Sequence, residues 1–253
     1  MHARDIRYTT RDNESFDGYL AEPDGDGKAP GILLITAIFG VDETMRALTD
    51  AWADDGFIVS VPDIFWRVMP GPTADMEKAF ARYEAFDVEQ GFNDVEDLIK
   101  DLRAHPRCNG KVAVLGYCFG GRYAHVATAR FGADAAGAFH GTLIGKNIDE
   151  ATKVKCPVSY HFGAEDPVVP MDEVNAIKAA FAGRANAEIA VSPGRRMAAA
   201  RFRARISRAG NSSCTSIPRT TPPAAPRRRK PSATPCPTSK NWASISWACR
   251  RTA

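Results

Sequence analysis

The sequence predicts an α/β fold: a mainly parallel sheet with helices on both faces, followed by a disordered basic tail. Three observations predict it. Short apolar runs of strand length alternate with stretches of helical periodicity as far as Val191, and strands separated by helices return to the same end of a sheet and so run parallel. Several of the runs are apolar throughout, as in strands covered on both faces. Both patterns stop together near residue 194, where the charge changes sign. Residues 1–194 hold 19 Lys and Arg against 30 Asp and Glu, a net of −11; residues 195–253 hold 14 Lys and Arg and no acid, a net of +14.

The elements follow in order. Asp5–Thr10 and Asp17–Glu22 predict an opening hairpin, and Gly31–Ala37 a fully buried strand. Asp42 is a helix cap, with Met45, Leu48 and Trp52 at helical spacing behind it. Phe57–Val61 is the next buried strand, ended by Pro62. A loop through Pro70-Gly71-Pro72 leads to helices over 73–86 and 88–104. Strand Lys111–Tyr117 and a helix from Phe119 to about Arg130 come next. Strands Ala135–Phe139 and Pro157–Phe162, a helix over Met171–Ala182 and strand Glu188–Val191 complete the pattern.

Composition excludes several classes. No apolar run reaches the length of about 18 residues that a membrane helix needs, and Met1-His2-Ala3-Arg4-Asp5 leads into polar sequence without a signal-peptide core. A cytoplasmic protein is expected. The six cysteines (108, 118, 156, 214, 236, 249) contain no C-x-x-C pair, so neither a metal site nor a disulfide framework is indicated.

The chemistry centres on Gly116-Tyr117-Cys118-Phe119-Gly120-Gly121, which follows an apolar strand and opens a helix. This is the nucleophile-elbow pattern with Cys in place of Ser. Flanking glycines let strand and helix approach without Cβ clashes. The helix N-terminus favours a thiolate at Cys118, and the Phe119 N–H is placed to face a developing oxyanion. The competing reading is a buried structural Cys beside a glycine-rich turn. Asp166, in Gly163-Ala164-Glu165-Asp166-Pro167, lies where an elbow hydrolase keeps its acid. A turn or cap Asp is the alternative there, and Glu165 is the competing acid.

These motifs resemble the dienelactone hydrolase family. The matching stretches are Ala37-Ile38-Phe39-Gly40-Val41, Val61-Pro62-Asp63, Ala85-Phe86-Asp87, Gly110-Lys111-Val112, the elbow, and Gly163-Ala164-Glu165-Asp166. The resemblance covers about residues 5–194 and implies an α/β-hydrolase fold without a cofactor. It implies a Cys–His–Asp triad that hydrolyses enol-lactones, and a second oxyanion donor at the Ile38 N–H. Three positions depart from the family. Ala37 replaces a Glu that manages the thiol proton. Met76 stands near where an arginine holds the substrate carboxylate, with Arg82 a loose substitute. The triad His belongs about thirty residues after the acid in a Pro-Gly-x-x-His-Gly segment, whereas this chain reads Pro193-Gly194-Arg195-Arg196-Met197-Ala198 and has no His after His161. Of the five histidines, His2 and His105 read as surface residues and His125 and His161 as packed ones. His140 follows a strand at the sheet's carboxyl edge, where ligands bind, and reads as a substrate contact.

The segment 195–253 carries Arg227-Arg228-Arg229-Lys230 and seven prolines. Its low hydrophobicity and high charge predict disorder. Its Arg, Ala, Pro and Ser content matches GC-rich coding DNA read out of frame. The domains expected are thus a C-terminally incomplete hydrolase domain over 1–194 and a basic tail over 195–253. The partner expected is a small ester or lactone, with no membrane and no metal. Two rivals are a pseudoenzyme that binds a small carbonyl ligand without turnover and nucleic-acid binding through the tail.

Overall fold

The structure, a computed structural model, describes residues 1–194. The opening hairpin is β1 (His2–Thr9) and β2 (Ser15–Glu22), antiparallel in register His2 to Glu22. Then come β3 (Ala29–Ile35), α1 (Glu43–Asp54), β4 (Ile58–Pro62), α2 (Met76–Glu84) and α3 (Val88–Ala104). They are followed by β5 (Cys108–Tyr117), α4 (Gly120–Arg130), β6 (Ala135–Phe139), a 3-10 segment (Ile144–Lys153), β7 (Val158–Gly163), α5 (Met171–Ala180) and β8 (Ala187–Ser192). The described strands form one sheet in the order β1-β2-β4-β3-β5-β6-β7-β8. The pairs from β4 through β8 are all parallel; β2 joins β4 antiparallel.

The central strands have cores on both sides, which is why their sequences are apolar throughout. Along β3, Ile32 and Leu34 face Met45, Trp52 and Ala53 of α1. Leu33 and Ile35 face the opposite core, built from α3, α4 and α5. All four β3 side chains are fully buried, each stabilising the fold by about 1.5–3 kcal/mol relative to exposure.

Three helices start on aspartate caps. Asp42 accepts from the Met45 N–H at 2.8 Å, Asp75 from Glu77 at 2.9 Å, and Asp87 from Gln90 at 3.1 Å. Each cap is worth about 1 kcal/mol. Helix α4 has no side-chain cap. Its first N–H groups are left for other partners, and Cys118 stands at that end.

The predicted strands and helices are all present, with shifted ends. Strand β5 begins earlier than expected, at Cys108, and passes a register irregularity opposite Ala29 and Gly31. The 3-10 segment, kinked at Asn147, was not signalled by periodicity. The basic tail, its predicted disorder and the out-of-frame reading lie outside the described residues.

Candidate active site

Strand β5 delivers Cys118 to the carboxyl edge of the sheet, and the chain turns directly into α4. The turn is possible only because its neighbours lack side chains. A Cβ on Gly116 would stand 2.0 Å from the Gly120 carbonyl oxygen, and one on Gly120 would stand 2.3 Å from the Ile35 oxygen. Cys118 itself has φ +50°, the left-handed region that costs a non-glycine residue about 1 kcal/mol or more. Hydrogen bonds hold it there. Its N–H donates to Phe139 O at 3.1 Å, and its carbonyl accepts from Gly121 and Thr142, both at 2.9 Å.

The thiol is not the thiolate that a helix N-terminus favours. Burial pushes the Cys118 pKa up to about 11; the Phe119 N–H, bonded to the sulfur, lowers it less, and the Asp166 charge raises it further. Desolvation outweighs one N–H and the partial charge of the helix end. The expected thiolate is therefore corrected to a protonated thiol at neutral pH.

Ile38 lies in the tight turn after β3, closed by Gly40 N–H to Ala37 O at 3.2 Å. Among the described residues no group accepts from the Ile38 N–H. The two expected oxyanion donors thus differ at rest: Phe119 points at the sulfur, and the Ile38 N–H has no acceptor among the described residues.

Asp166 follows β7. One oxygen, Oδ1, accepts from the Val168 N–H at 2.9 Å and closes the local turn. The carboxylate charge still reaches both Cys118 and His140. Glu165 is exposed. The described chain returns from β8 to this loop, with Ala164 N–H on Ser192 O at 2.9 Å. A Cβ on Gly194 would be 3.9 Å from Glu165 Oε2. The Pro193-Gly194 step therefore lies beside Glu165, the residue before Asp166.

His140 shares an anchor with Cys118. Its Nδ1 donates to Phe139 O at 2.6 Å, the same oxygen that accepts from the Cys118 N–H. Nδ1 therefore carries the proton and Nε2 the lone pair. Burial lowers its pKa to about 4, with Asp166 opposing, so the ring is neutral above that pH. The other core histidines are tied into the scaffold. His125 bridges Tyr160 and the Asn147 carbonyl at 2.9 and 3.0 Å, and His161 pairs with Ser159 at 3.0 Å. His105, read from sequence as a surface residue, is half-buried at the end of α3, where its Nδ1 accepts from the Arg107 N–H at 3.3 Å.

Arg82 does not lie where a substrate carboxylate reaches it, and that expectation is corrected. The side chain is completely buried, with Nε on Ile38 O at 2.7 Å and Nη1 on Gly71 O at 2.7 Å. Its guanidinium also stacks over the Phe65 ring, with Cζ 4.6 Å from the ring centre.

A cavity of about 230 Å³ lies beside Phe119, walled by Tyr83, Phe86, Phe119 and Tyr123, with Glu84 and Arg122 among its lining groups. Arg122 was not singled out from sequence. Its Nε is fixed on Asn147 Oδ1 at 2.7 Å. The signal available was its place one helical turn after Cys118, on the helix that the elbow opens.

Comparison with known proteins identifies the family and the fold. The family model described as "Dienelactone hydrolase family" matches residues 16–220, past the boundary expected at 194. A carboxymethylenebutenolidase of Pseudomonas putida is 32% identical over 176 residues, which is 67% of this chain and 74% of that protein. Among solved structures, a dienelactone hydrolase-like promiscuous phosphotriesterase from metagenomic libraries superposes with a TM-score of 0.66 at 21% identity, covering 76% of this chain and 81% of its own. The Pyrococcus furiosus esterase Pf2001 gives 0.63 at 14% identity, covering 82% and 91%. At these identities the two structures support the α/β-hydrolase fold alone.

Proposed function

The chain belongs to the dienelactone hydrolase family, and from that premise we propose that it hydrolyses small carboxylic esters and lactones through Cys118. The substrate carbonyl sits between the Cys118 sulfur and the N–H groups of Ile38 and Phe119. The minor thiolate form, its proton given up to solvent, attacks the carbonyl carbon through sulfur, and the C=O π pair moves to oxygen, where the two N–H groups stabilise it. Collapse expels the ester oxygen and leaves a thioester on Cys118, which water then cleaves. Asp166 is the acid of the site, and His140, neutral and beside the nucleophile, contacts the substrate.

The observation that carries this reading is Cys118 at φ +50° on the glycine-lined turn between β5 and α4, with an open N–H at Ile38. The chain has no histidine after His161, so the leaving oxygen receives no proton from a triad base. Esters whose leaving group is a stabilised enolate or phenolate are favoured for that reason. Among the described residues no helix is long and apolar enough to cross a membrane.

One specific observation favours a second reading, binding with slow or no turnover. The thiol pKa of about 11 and the absent histidine both slow the steps that need proton transfer. Nucleic-acid binding rests on residues outside those described. The test is release of nitrophenolate from an aryl ester, compared with C118A. Continuous release that C118A abolishes supports hydrolysis; about one equivalent followed by arrest supports the second reading. Equal rates in both proteins would overturn the assignment of Cys118.

A further inference from the structure

We propose that Arg82 is a positioning residue for the oxyanion hole, fixing the Ile38 peptide from behind. The proposal rests on reading Ile38 and Phe119 as the two oxyanion donors. Arg82 lies on α2 and is fully buried. Nε donates to the Ile38 carbonyl at 2.7 Å, and Nη1 donates to Gly71 O at 2.7 Å and Met69 O at 3.3 Å. The guanidinium carbon stands 4.6 Å from the Phe65 ring centre. One side chain therefore ties the turn holding Ile38 to the loop after β4.

The arrangement suits a rigid fork and no other side chain. Arg presents its donors in a fixed plane, whereas Lys offers a single point charge. Fixing the carbonyl of Ile38 restrains the backbone on either side of its Cα, and so sets where its N–H points. The site is built closely around the fork. Gly40 has φ +77°, and a Cβ there would meet Arg82 Nη2 and Gly71 O, each at 3.1 Å.

Charge makes a second contribution. No carboxylate hydrogen-bonds the guanidinium among the described residues. Asp63 is its charged neighbour, but Asp63 accepts instead from the Gly71 N–H at 2.6 Å and the Phe65 N–H at 3.2 Å. Nη2 is buried with no hydrogen-bond partner. A buried positive charge, hydrogen-bonded only to backbone carbonyls among the described residues, thus stands against the Ile38 backbone, whose N–H faces the substrate oxygen on which negative charge develops. That placement stabilises the anionic transition state more than the neutral ester.

The test compares two reactions of the same sulfur. Acylation by p-nitrophenyl acetate develops an oxyanion; alkylation by iodoacetamide does not. With Arg82→Met, acylation should fall about 100-fold, the scale of losing one oxyanion donor or misplacing it by about 1 Å, while alkylation changes less than about threefold. Arg82→Lys keeps the charge but reaches one carbonyl, and should lose about tenfold in acylation alone. If the Met variant does not fold, the Lys variant decides. Equal losses in both reactions, or unchanged acylation in Arg82→Lys, would overturn the proposal. Failure of the underlying reading would appear separately, as acylation that persists in C118A.

Discussion

Raising the pH should activate Cys118 over a far wider range than an ordinary thiol allows. With a pKa of about 11 in place of 9.0, only about one molecule in ten thousand carries the thiolate at about pH 7, against about one in a hundred for an unburied thiol. A more basic thiolate is also more nucleophilic. With a Brønsted slope of about 0.4–0.5, the shift of about two units returns roughly tenfold. Cys118 should therefore react with iodoacetamide about tenfold more slowly than a model thiol near pH 7. Its rate should keep rising about tenfold per pH unit to about pH 10, where a model thiol has levelled off. The assay is brief alkylation across that range with the Cys118 peptide quantified by mass spectrometry. A plateau below about pH 9, or reaction faster than the model thiol at neutral pH, would refute the claim that desolvation outweighs the helix end.

Other consequences are equally open to measurement. Because the Asp166 charge raises the Cys118 pKa, Asp166→Asn should speed alkylation near pH 8 by about two- to fivefold; Glu165→Gln should leave it unchanged, and equal effects would remove the distinction between the two acids. Adding a methyl at Gly120 presses it on the Ile35 carbonyl oxygen at 2.3 Å, so Gly120→Ala should destabilise by about 2 kcal/mol or more in urea unfolding and slow ester acylation; a wild-type midpoint would contradict the packing argument. Hydrogen bonding from Arg130 first, then Lys153 and Asn147, holds the buried Glu150 pKa down to about 2 against burial. A lowered acid pKa contributes stability above its unfolded value of 4.5 that is lost as pH falls toward 2. Glu150→Gln should flatten the stability profile across that window, and an unchanged profile would sink the assignment. Restoring the reading frame so that a histidine stands at position 197 should raise hydrolysis of an aryl ester by about 10³-fold or more; no increase would refute the frame-shift account of the missing base.

The sheet was legible because its strands carry the signal in their composition. Gly31–Ala37 and Phe57–Val61 are apolar throughout, and the structure shows why: α1 covers one face and α3, α4 and α5 the other. The start of β5 was hidden because Asn109-Gly110-Lys111 is polar and exposed. The 3-10 segment has no period that distinguishes it from a loop. The elbow was readable because its glycines are required by contacts of 2.0–2.3 Å, a demand that leaves a mark in sequence. The state of its thiol was not, since burial is a property of the packed whole and the motif shows only the helix end. Arg82 illustrates the same gap. Sequence offered it as a cation for a substrate, and only the fold reveals that its Nε and Nη1 donate to Ile38, Met69 and Gly71.

The most direct test of the account is where the acyl group goes. The protein is mixed with p-nitrophenyl acetate at about pH 9, quenched in acid and digested, and its peptides are weighed. The account predicts one acetyl thioester, on the peptide carrying Cys118, removed by hydroxylamine and absent in C118A. An acetyl group carried instead by Cys108, Cys156 or a lysine, with Cys118 unmodified, would contradict it.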